Sequence, residues 1–290
     1  MNRISETDLI LNEDGSAYHL NLHPGEIADT VITVGDQERV AAITKYFDAI
    51  EFKKAKREFV THTGRIGNKR LTVISTGIGT DNIDIVFNEL DALVNIDFAT
   101  RLVNPNLRSL NLIRIGTSGA VQADIAVDSL LVSGAAFGLD ALMHYYEQHL
   151  SEKEEGLLKA FKTALPGSYS LSPYLASADE TLLHQLGAGL PQGITLTAPG
   201  FYAPQGRQVR AVSAMPDLMK MIQNFKAGNQ CITNLEMETA GIYGLAKSLG
   251  HKALSFNIIL ANRVTHTFSQ QPAAIMDHYI QQVLAKLIAI

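Results

Sequence analysis

The chain has 290 residues, 46% apolar and 18% charged, a composition that suits a globular fold with a sizeable buried core. Its net charge of -5, with only 24 Lys and Arg, argues against nucleic acid as a partner. No stretch approaches the roughly 18 unbroken apolar residues of a membrane span, and none joins a basic head to a signal-like apolar segment, so a cytoplasmic protein without a membrane partner is expected.

Residues 1–29 read as an irregular polar lead-in in which His19 and His23 flank Leu20 and Leu22. Thr30–Val34 is a β-branched run closed by Gly35-Asp36, after which residues 37–47 space Val40, Ala41, Ile43 and Phe47 at helical intervals: a strand, a tight turn and a helix. A charged segment, 53–58, leads into two expected strands at 59–63 and 71–75, separated by Gly67-Asn68. The segment Thr76-Gly77-Ile78-Gly79-Thr80-Asp81-Asn82 then turns into a helix over 83–94, with Asp81 or Asn82 placed to cap it.

Residues 112–120 read LIRIGTSGA, an apolar run with Arg114 embedded in it, ending in what looks like a turn of Gly116, Thr117, Ser118 and Gly119. An arginine inside a buried strand costs several kcal/mol unless an anion or a carboxylate meets it. Both partners are chemically reasonable here, because backbone N–H groups and hydroxyls beside a guanidinium also suit a phosphate.

Further strands are expected at 127–135, 193–198 and 253–260, and helices at 157–165, 182–186, 216–225, 237–249 and 273–290. The loop Pro199-Gly200-Phe201-Tyr202-Ala203-Pro204-Gln205-Gly206-Arg207 follows the strand at 193–198. The lone Cys231 excludes an intramolecular disulfide and a cysteine-rich metal site, and reads as a small core residue. Alternating strands and helices without a linker or repeat predict one domain over 1–290, a three-layer α/β/α fold with a central mixed sheet. In such sheets ligands sit beyond the carboxyl ends of strands, where turns at Gly35, Thr76, Gly116 and Asn262 are expected.

Three motifs fail on spacing. Gly77-Ile78-Gly79 has Asn82 where a dinucleotide fingerprint needs its third glycine, and Gly116 to Gly119 is one residue too short for a nucleophile elbow. His144, Glu147 and His149 have the wrong intervals for a zinc motif. Five other segments fit together: Gly35-Asp36-Gln37-Glu38-Arg39-Val40, Lys56-Arg57-Glu58-Phe59, Ser75-Thr76-Gly77-Ile78-Gly79, Arg114-Ile115-Gly116-Thr117 and Asn234-Leu235-Glu236-Met237-Glu238-Thr239-Ala240. In this order they resemble the hexameric uridine phosphorylases of the nucleoside phosphorylase family, a likeness running from about His19 to the last helix.

That resemblance implies phosphorolysis: nucleoside and inorganic phosphate give ribose 1-phosphate and free base, a salvage reaction with no organic cofactor. It also implies a homo-oligomer, a dimer-based hexamer, with active sites shared between paired subunits. The family's phosphate site falls on the Gly35 N–H, Arg39, Arg57, Arg114 and the Thr117 hydroxyl, with Arg57 reaching into a neighbouring subunit. Three guanidiniums suit a desolvated dianion that must act as nucleophile. The ribose site falls on Met237, Glu238 and, from the neighbour, His19; a carboxylate there also favours positive charge developing at the anomeric carbon. The base site falls on Phe201, Gln205 and Arg207, an amide and a guanidinium able to read uracil and support its departure as an anion.

Purine-specific relatives carry an aspartate after the late strand, where this chain reads Ala261-Asn262-Arg263, and Ile259 and Leu260 would wall the base site. A monovalent cation in the family sits at positions matching Glu58, Ile78 and a serine that is Asn82 here. The catalytic set implied is thus Arg114, Glu238, Gln205 and Arg207. A purine nucleoside phosphorylase, a nucleosidase using water, and a nucleoside-binding protein on the same scaffold stand as alternatives.

Overall fold

β1 (Thr30–Val34) is buried along its whole length, as a strand covered on both faces must be. It leads through Gly35-Asp36 into α1 (Gln37–Thr44), where the Asp36 side chain accepts the Glu38 N–H and so caps the helix. β2 (Ala49–Lys56), β3 (Phe59–Ile66) and β4 (Lys69–Ser75) form an antiparallel meander, and β4 lies parallel to β1. After α2 (Thr80–Asn95) come a separate two-stranded pair, β5 (Ile96–Asp97) and β6 (Leu102–Val103), then β7 (Asn111–Ala120) and β8 (Leu130–Gly138). The chain continues through α3 (Glu152–Ala164), β9 (Tyr174–Ser177), α4 (Glu180–Gly187), β10 (Gln192–Thr197) and α5 (Leu218–Asn224). It ends with β11 (Lys226–Ala227), β12 (Gln230–Glu236), α6 (Thr239–Ser248), β13 (Lys252–Asn262), β14 (Thr267–Phe268) and α7 (Pro272–Ile288). This computed structural model describes residues 3–290, so residues 1 and 2 of the expected lead-in lie outside the described residues.

The main sheet has twelve strands in the order β11-β12-β10-β8-β13-β7-β1-β4-β3-β2, with β9 added to β8 and β14 to β13. β12 pairs parallel to β10 and also antiparallel to the end of β7, so β7, β13, β8, β10 and β12 close a ring. The fold is the expected mixed α/β architecture with a central sheet. One apolar core joins β1, β4 and β7 to α2, α6 and α7. A second packs α3 and α5 on the other part of the sheet, where Phe161 stacks on Phe137 with centroids 4.1 Å apart and Phe225 meets both edge-on. α6 is buried at eight of its ten positions, which fits its apolar sequence. The lead-in is irregular, yet Ala17, Leu20 and Leu22 are built into the first core.

Several expectations need correction. Residues 116–119 are not a turn: β7 runs unbroken from Asn111 to Ala120, held by β13 along its length and by β12 at its end. Neither Asp81 nor Asn82 caps α2; Gly79 stands at the cap with φ +96°, a conformation that favours glycine, and its helix begins at Thr80 without a side-chain cap. The strand expected at 127–135 lies at 130–138. α3 starts at Glu152, five residues earlier than its apolar pattern suggests, because Ser151 and Glu154 form a capping box. β2, β5, β6, β9, β11, β12 and β14 were not anticipated. β2 is an edge strand rich in lysine, as edges that resist pairing are, and β12 buries polar residues that interrupt the apolar pattern.

Candidate active site

The ends of β1, β4, β7 and β12 and the loop after β10 surround a cavity of about 840 Å³. Gly35, Arg39, Arg114, Thr117, Phe201, Gln205, Arg207, Met237 and Glu238 all line it, so nine residues separated by up to two hundred positions are brought together. A second cavity, of about 940 Å³, is lined by the first residues of β10, β12 and β13, at the other ends of those strands, and contains none of the expected site residues.

Arg114 is the centre of the site. Its Nη2 donates to Glu238 Oε2 at 2.7 Å and lies 3.0 Å from Glu236 Oε2, while Nη1 donates to Asn257 Oδ1 at 3.1 Å. Of the two partners expected for Arg114, the carboxylate is the one present, and both carboxylates stand in the cavity wall. Side chains alternate along a strand, so Arg114 and Gly116 share a face, and a Cβ on Gly116 would lie 1.9 Å from Arg114 Nη1. Gly116 is small to let the guanidinium fold over the strand. Burial disfavours the charged form of Arg114, but Glu236 and Glu238 more than offset it and hold its pKa above the ordinary value.

Glu238 stands at the N-cap of α6, and its Oε1 accepts the Gly79 N–H at 2.8 Å. Burial lifts its carboxyl above the usual range; Arg114 opposes that shift and Glu236 adds to it. Glu236, at the end of β12, accepts the Thr197 hydroxyl and the backbone N–H groups of Glu238 and Thr239 at the start of α6. Its place at a helix N-terminus suits its negative charge. The sequence motifs assigned no role to Glu236 and missed Asn257. Polar Ser255 and Asn257 alternating inside the apolar run 253–260 were the available signal, since one face of that strand must then meet polar partners.

Arg39 approaches from α1 and donates to the Ile115 carbonyl at 3.3 Å. Burial, and then the neighbouring Arg114, pull its pKa below the ordinary value. In the loop after β10, Arg207 Nη1 donates to Gln205 Oε1 at 2.6 Å and to the Phe201 carbonyl at 2.8 Å, and its guanidinium carbon stands 3.8 Å from the Phe201 ring centroid. Burial and the adjacent Arg263 push Arg207 down to about 10. Arg263 itself donates to the Gln205 carbonyl at 3.0 Å and thereby ties the loop to the end of β13. Leu260, Ala261 and Phe268 also line the cavity, whereas Ile259 is fully buried and does not form the wall expected of it.

Asn262 is committed to the hairpin: its Nδ2 donates to the Gln122 and Ile125 carbonyls and its Oδ1 accepts the Val264 and Thr265 N–H groups. Neither His19 nor Arg57 lines the cavity. They lie together elsewhere, with Tyr18 stacked edge-on against His19 and the Arg57 guanidinium carbon 5.7 Å from the Tyr18 ring centroid. Glu58, Ile78 and Asn82 do line the cavity, and a Cβ on Gly77 would lie 2.4 Å from Asn82 Nδ2 and 3.3 Å from Glu58 Cγ. Glu58 is the one carboxylate of the three, and among the described residues no group of three or more His, Cys, Asp or Glu side chains converges. No helix among them is long and apolar enough to cross a membrane.

The sequence model of the Phosphorylase superfamily matches residues 29–289. A uridine phosphorylase of Thermococcus kodakarensis is 28% identical over 277 residues, 94% of this chain and 88% of the relative. A DeoD-type purine nucleoside phosphorylase of Shewanella frigidimarina is 30% identical over 237 residues, 81% of this chain and 82% of the relative. Among solved structures, the Trypanosoma brucei nucleoside phosphorylase, described as showing uridine phosphorylase activity, superposes with a TM-score of 0.87 at 27% identity, covering 98% of this chain and all of that one.

Proposed function

The chain belongs to the Phosphorylase superfamily, and from that premise we propose that it is a pentosyltransferase that converts uridine and phosphate into uracil and ribose 1-phosphate. In this reading residues 1–290 form one domain of a cytoplasmic homo-oligomer, a dimer-based hexamer, that serves pyrimidine salvage. Relatives with both uridine and purine names match at similar identity, so the base specificity rests on the site itself.

The observation that carries the pyrimidine reading is the paired amide and guanidinium at 2.6 Å, Gln205 and Arg207, in the same cavity as Arg114 and Glu238 and without an acid from the end of β13. Gln205 Oε1 has two lone pairs, one taken by Arg207; the other accepts the N3–H of uracil, and the amide N–H2 donates to an adjacent carbonyl. A purine would need a proton donor at N7. Ala261 offers none, and both polar atoms of Asn262 are engaged with backbone.

Phosphate is held by the Gly35 N–H, Arg39, Arg114 and the Thr117 hydroxyl, joined by Arg57 of a neighbouring subunit. Its entry draws Arg114 away from Glu238, whose carboxylate then accepts ribose hydroxyl protons beside Met237. The C1′–N1 bond of uridine breaks with its electron pair going to uracil, and a phosphate oxygen bonds C1′ from the opposite face. Arg207 supports the negative charge on uracil until it takes a proton, the one lost by phosphate, by way of solvent. Glu238 lowers the energy of the cationic ribosyl group between bond breaking and bond making. No protein side chain acts as nucleophile, and no step runs through a metal ion.

The test is a panel of uridine, thymidine, deoxyuridine, inosine and adenosine incubated with and without phosphate, with release of free base followed. Phosphate-dependent release of uracil, exceeding release of any purine, is expected. Faster purine release points to the purine reading favoured by the DeoD-type relatives. Release without phosphate identifies a nucleosidase, and binding without release a nucleoside-binding protein.

A further inference from the structure

His19 is held by a carboxylate outside the cavity. Glu89, on α2, has Oε1 2.6 Å from His19 Nδ1, and its two oxygens accept the His19 N–H at 3.0 and 3.1 Å and the Leu20 N–H at 2.8 Å. The Glu89 side chain is 12% exposed and that of His19 25% exposed, so the buried partner is the carboxylate while the imidazole reaches the surface. An ionised carboxylate only accepts hydrogen bonds. The proton of the neutral imidazole therefore lies on Nδ1, and Nε2 presents a lone pair. A ring fixed in this way selects a hydroxyl that donates, and it does so without a search among rotamers or tautomers.

We propose that Glu89 is a positioning residue for nucleoside binding, which locks His19 in the Nδ1–H tautomer so that Nε2 accepts a hydrogen bond from a ribose hydroxyl in the neighbouring subunit's site. The proposal rests on the reading of His19 as a ribose contact supplied across a subunit interface. The surroundings support a shared role: Tyr18 lies edge-on to His19 at 4.8 Å, with Lys56 Nζ 4.6 Å and the Arg57 guanidinium carbon 5.7 Å from the Tyr18 ring centroid. His19 and Arg57, the two residues assigned to a neighbour, thus flank the one Tyr18 ring, and Glu89 fixes the histidine from behind. A carboxylate that only fastened residues 18–20 to α2 would need the two backbone contacts and not the third, at Nδ1.

The experiment uses the full-length oligomer. In Glu89→Gln the amide oxygen keeps an acceptor for the backbone, but the amide N–H2 donates to Nδ1 and moves the imidazole proton to Nε2. Solid-state 15N spectra of histidine-labelled enzyme, with the His19 signal identified by its loss in His19→Ala, are expected to show that switch. With saturating phosphate, kcat/KM for uridine falls about tenfold, the worth of one hydrogen bond of this kind. The loss disappears for whichever of 2′-deoxy-, 3′-deoxy- or 5′-deoxyuridine also makes His19→Ala silent, and the two substitutions together cost no more than His19→Ala alone. Glu89→Asp, which keeps an accepting carboxylate, retains the native tautomer and recovers most of the activity.

An unchanged tautomer in Glu89→Gln overturns the proposal. So does an equal loss on all four nucleosides, the mark of a purely structural carboxylate. A tautomer that switches while His19→Ala keeps wild-type kinetics on every nucleoside overturns the reading of His19 as a ribose contact, and the proposal falls with it through a result that is separately recognisable.

Discussion

Replacing Glu238 with glutamine probes the electrostatics of the site through both stability and rate. Arg114 sits between two carboxylates at 2.7 and 3.0 Å, and the three side chains are 8% exposed or less, so the cluster holds one positive and two negative charges. Taking away the Glu238 charge leaves Arg114 and Glu236 as a balanced pair, and the amide oxygen can still accept from Gly79. The folding cost near neutral pH is therefore below about 1 kcal/mol, against about 3–5 kcal/mol for leaving a buried charge unpaired.

The pH dependence follows from the direction in which the Glu238 carboxyl is displaced. Burial, with Glu236, holds the folded-state pKa of Glu238 above its unfolded value, so between the two values the folded protein binds the extra proton. The stability this contributes is complete below the unfolded pKa, about 4.3, and is lost as pH rises through the folded pKa, at about 1.4 kcal/mol for each pH unit that separates the two. Glu238→Gln removes that decline. Urea unfolding at fixed protein concentration, repeated from pH 4 to pH 8, measures it. In the same variant kcat/KM for nucleoside falls by about 10²–10³, the scale of losing one preorganised charge contact to the transition state. An unchanged pH slope, or kcat/KM within threefold of wild type, refutes the reasoning.

Arg114→Ala leaves Glu236 and Glu238 buried without their cation; it is expected to cost about 3–5 kcal/mol in urea unfolding and to abolish phosphate use in a folded sample, and near-normal phosphorolysis contradicts the phosphate assignment. Gly116→Ala places a Cβ in the space of the Arg114 guanidinium, 1.9 Å from Nη1, within a strand that tolerates alanine. It raises KM for phosphate by at least about tenfold, a loss of one charge-assisted contact, with little change in secondary structure by circular dichroism. Phe161→Ala opens the aromatic cluster with Phe137 and Phe225, and a loss of about 3–5 kcal/mol with an unaltered kcat at low temperature is expected, because none of these three rings lines the cavity.

The fold was legible where burial writes a pattern. The β-branched run of β1, the capped start of α1 and the long apolar run of β13 each carry one dominant signal, and each element lies where it was expected. β7 was misread because Gly116, Thr117, Ser118 and Gly119 are turn residues by composition; the reason for the glycine at 116 is a guanidinium two residues earlier, which only the folded strand reveals. β12 was missed because its polar residues are satisfied by distant partners, as in the contacts of Asn234 with Ser118 and Thr195. Within the site, the motifs brought nine residues to one cavity, but they gave no account of Glu236, Asn257 or Arg263, whose parts depend on contacts across the sheet. His19 and Arg57 stand apart from that cavity, beside Tyr18.

The central claim is that bond cleavage at C1′ transfers the ribosyl group to phosphate in a cavity built to read uracil. Following uridine and inorganic phosphate with the enzyme by 31P NMR, alongside uracil release by absorbance, tests it most directly. The expected result is a ribose 1-phosphate resonance growing in one-to-one step with uracil as the phosphate signal falls. Uracil release accompanied by free ribose, with the phosphate signal unchanged, contradicts it.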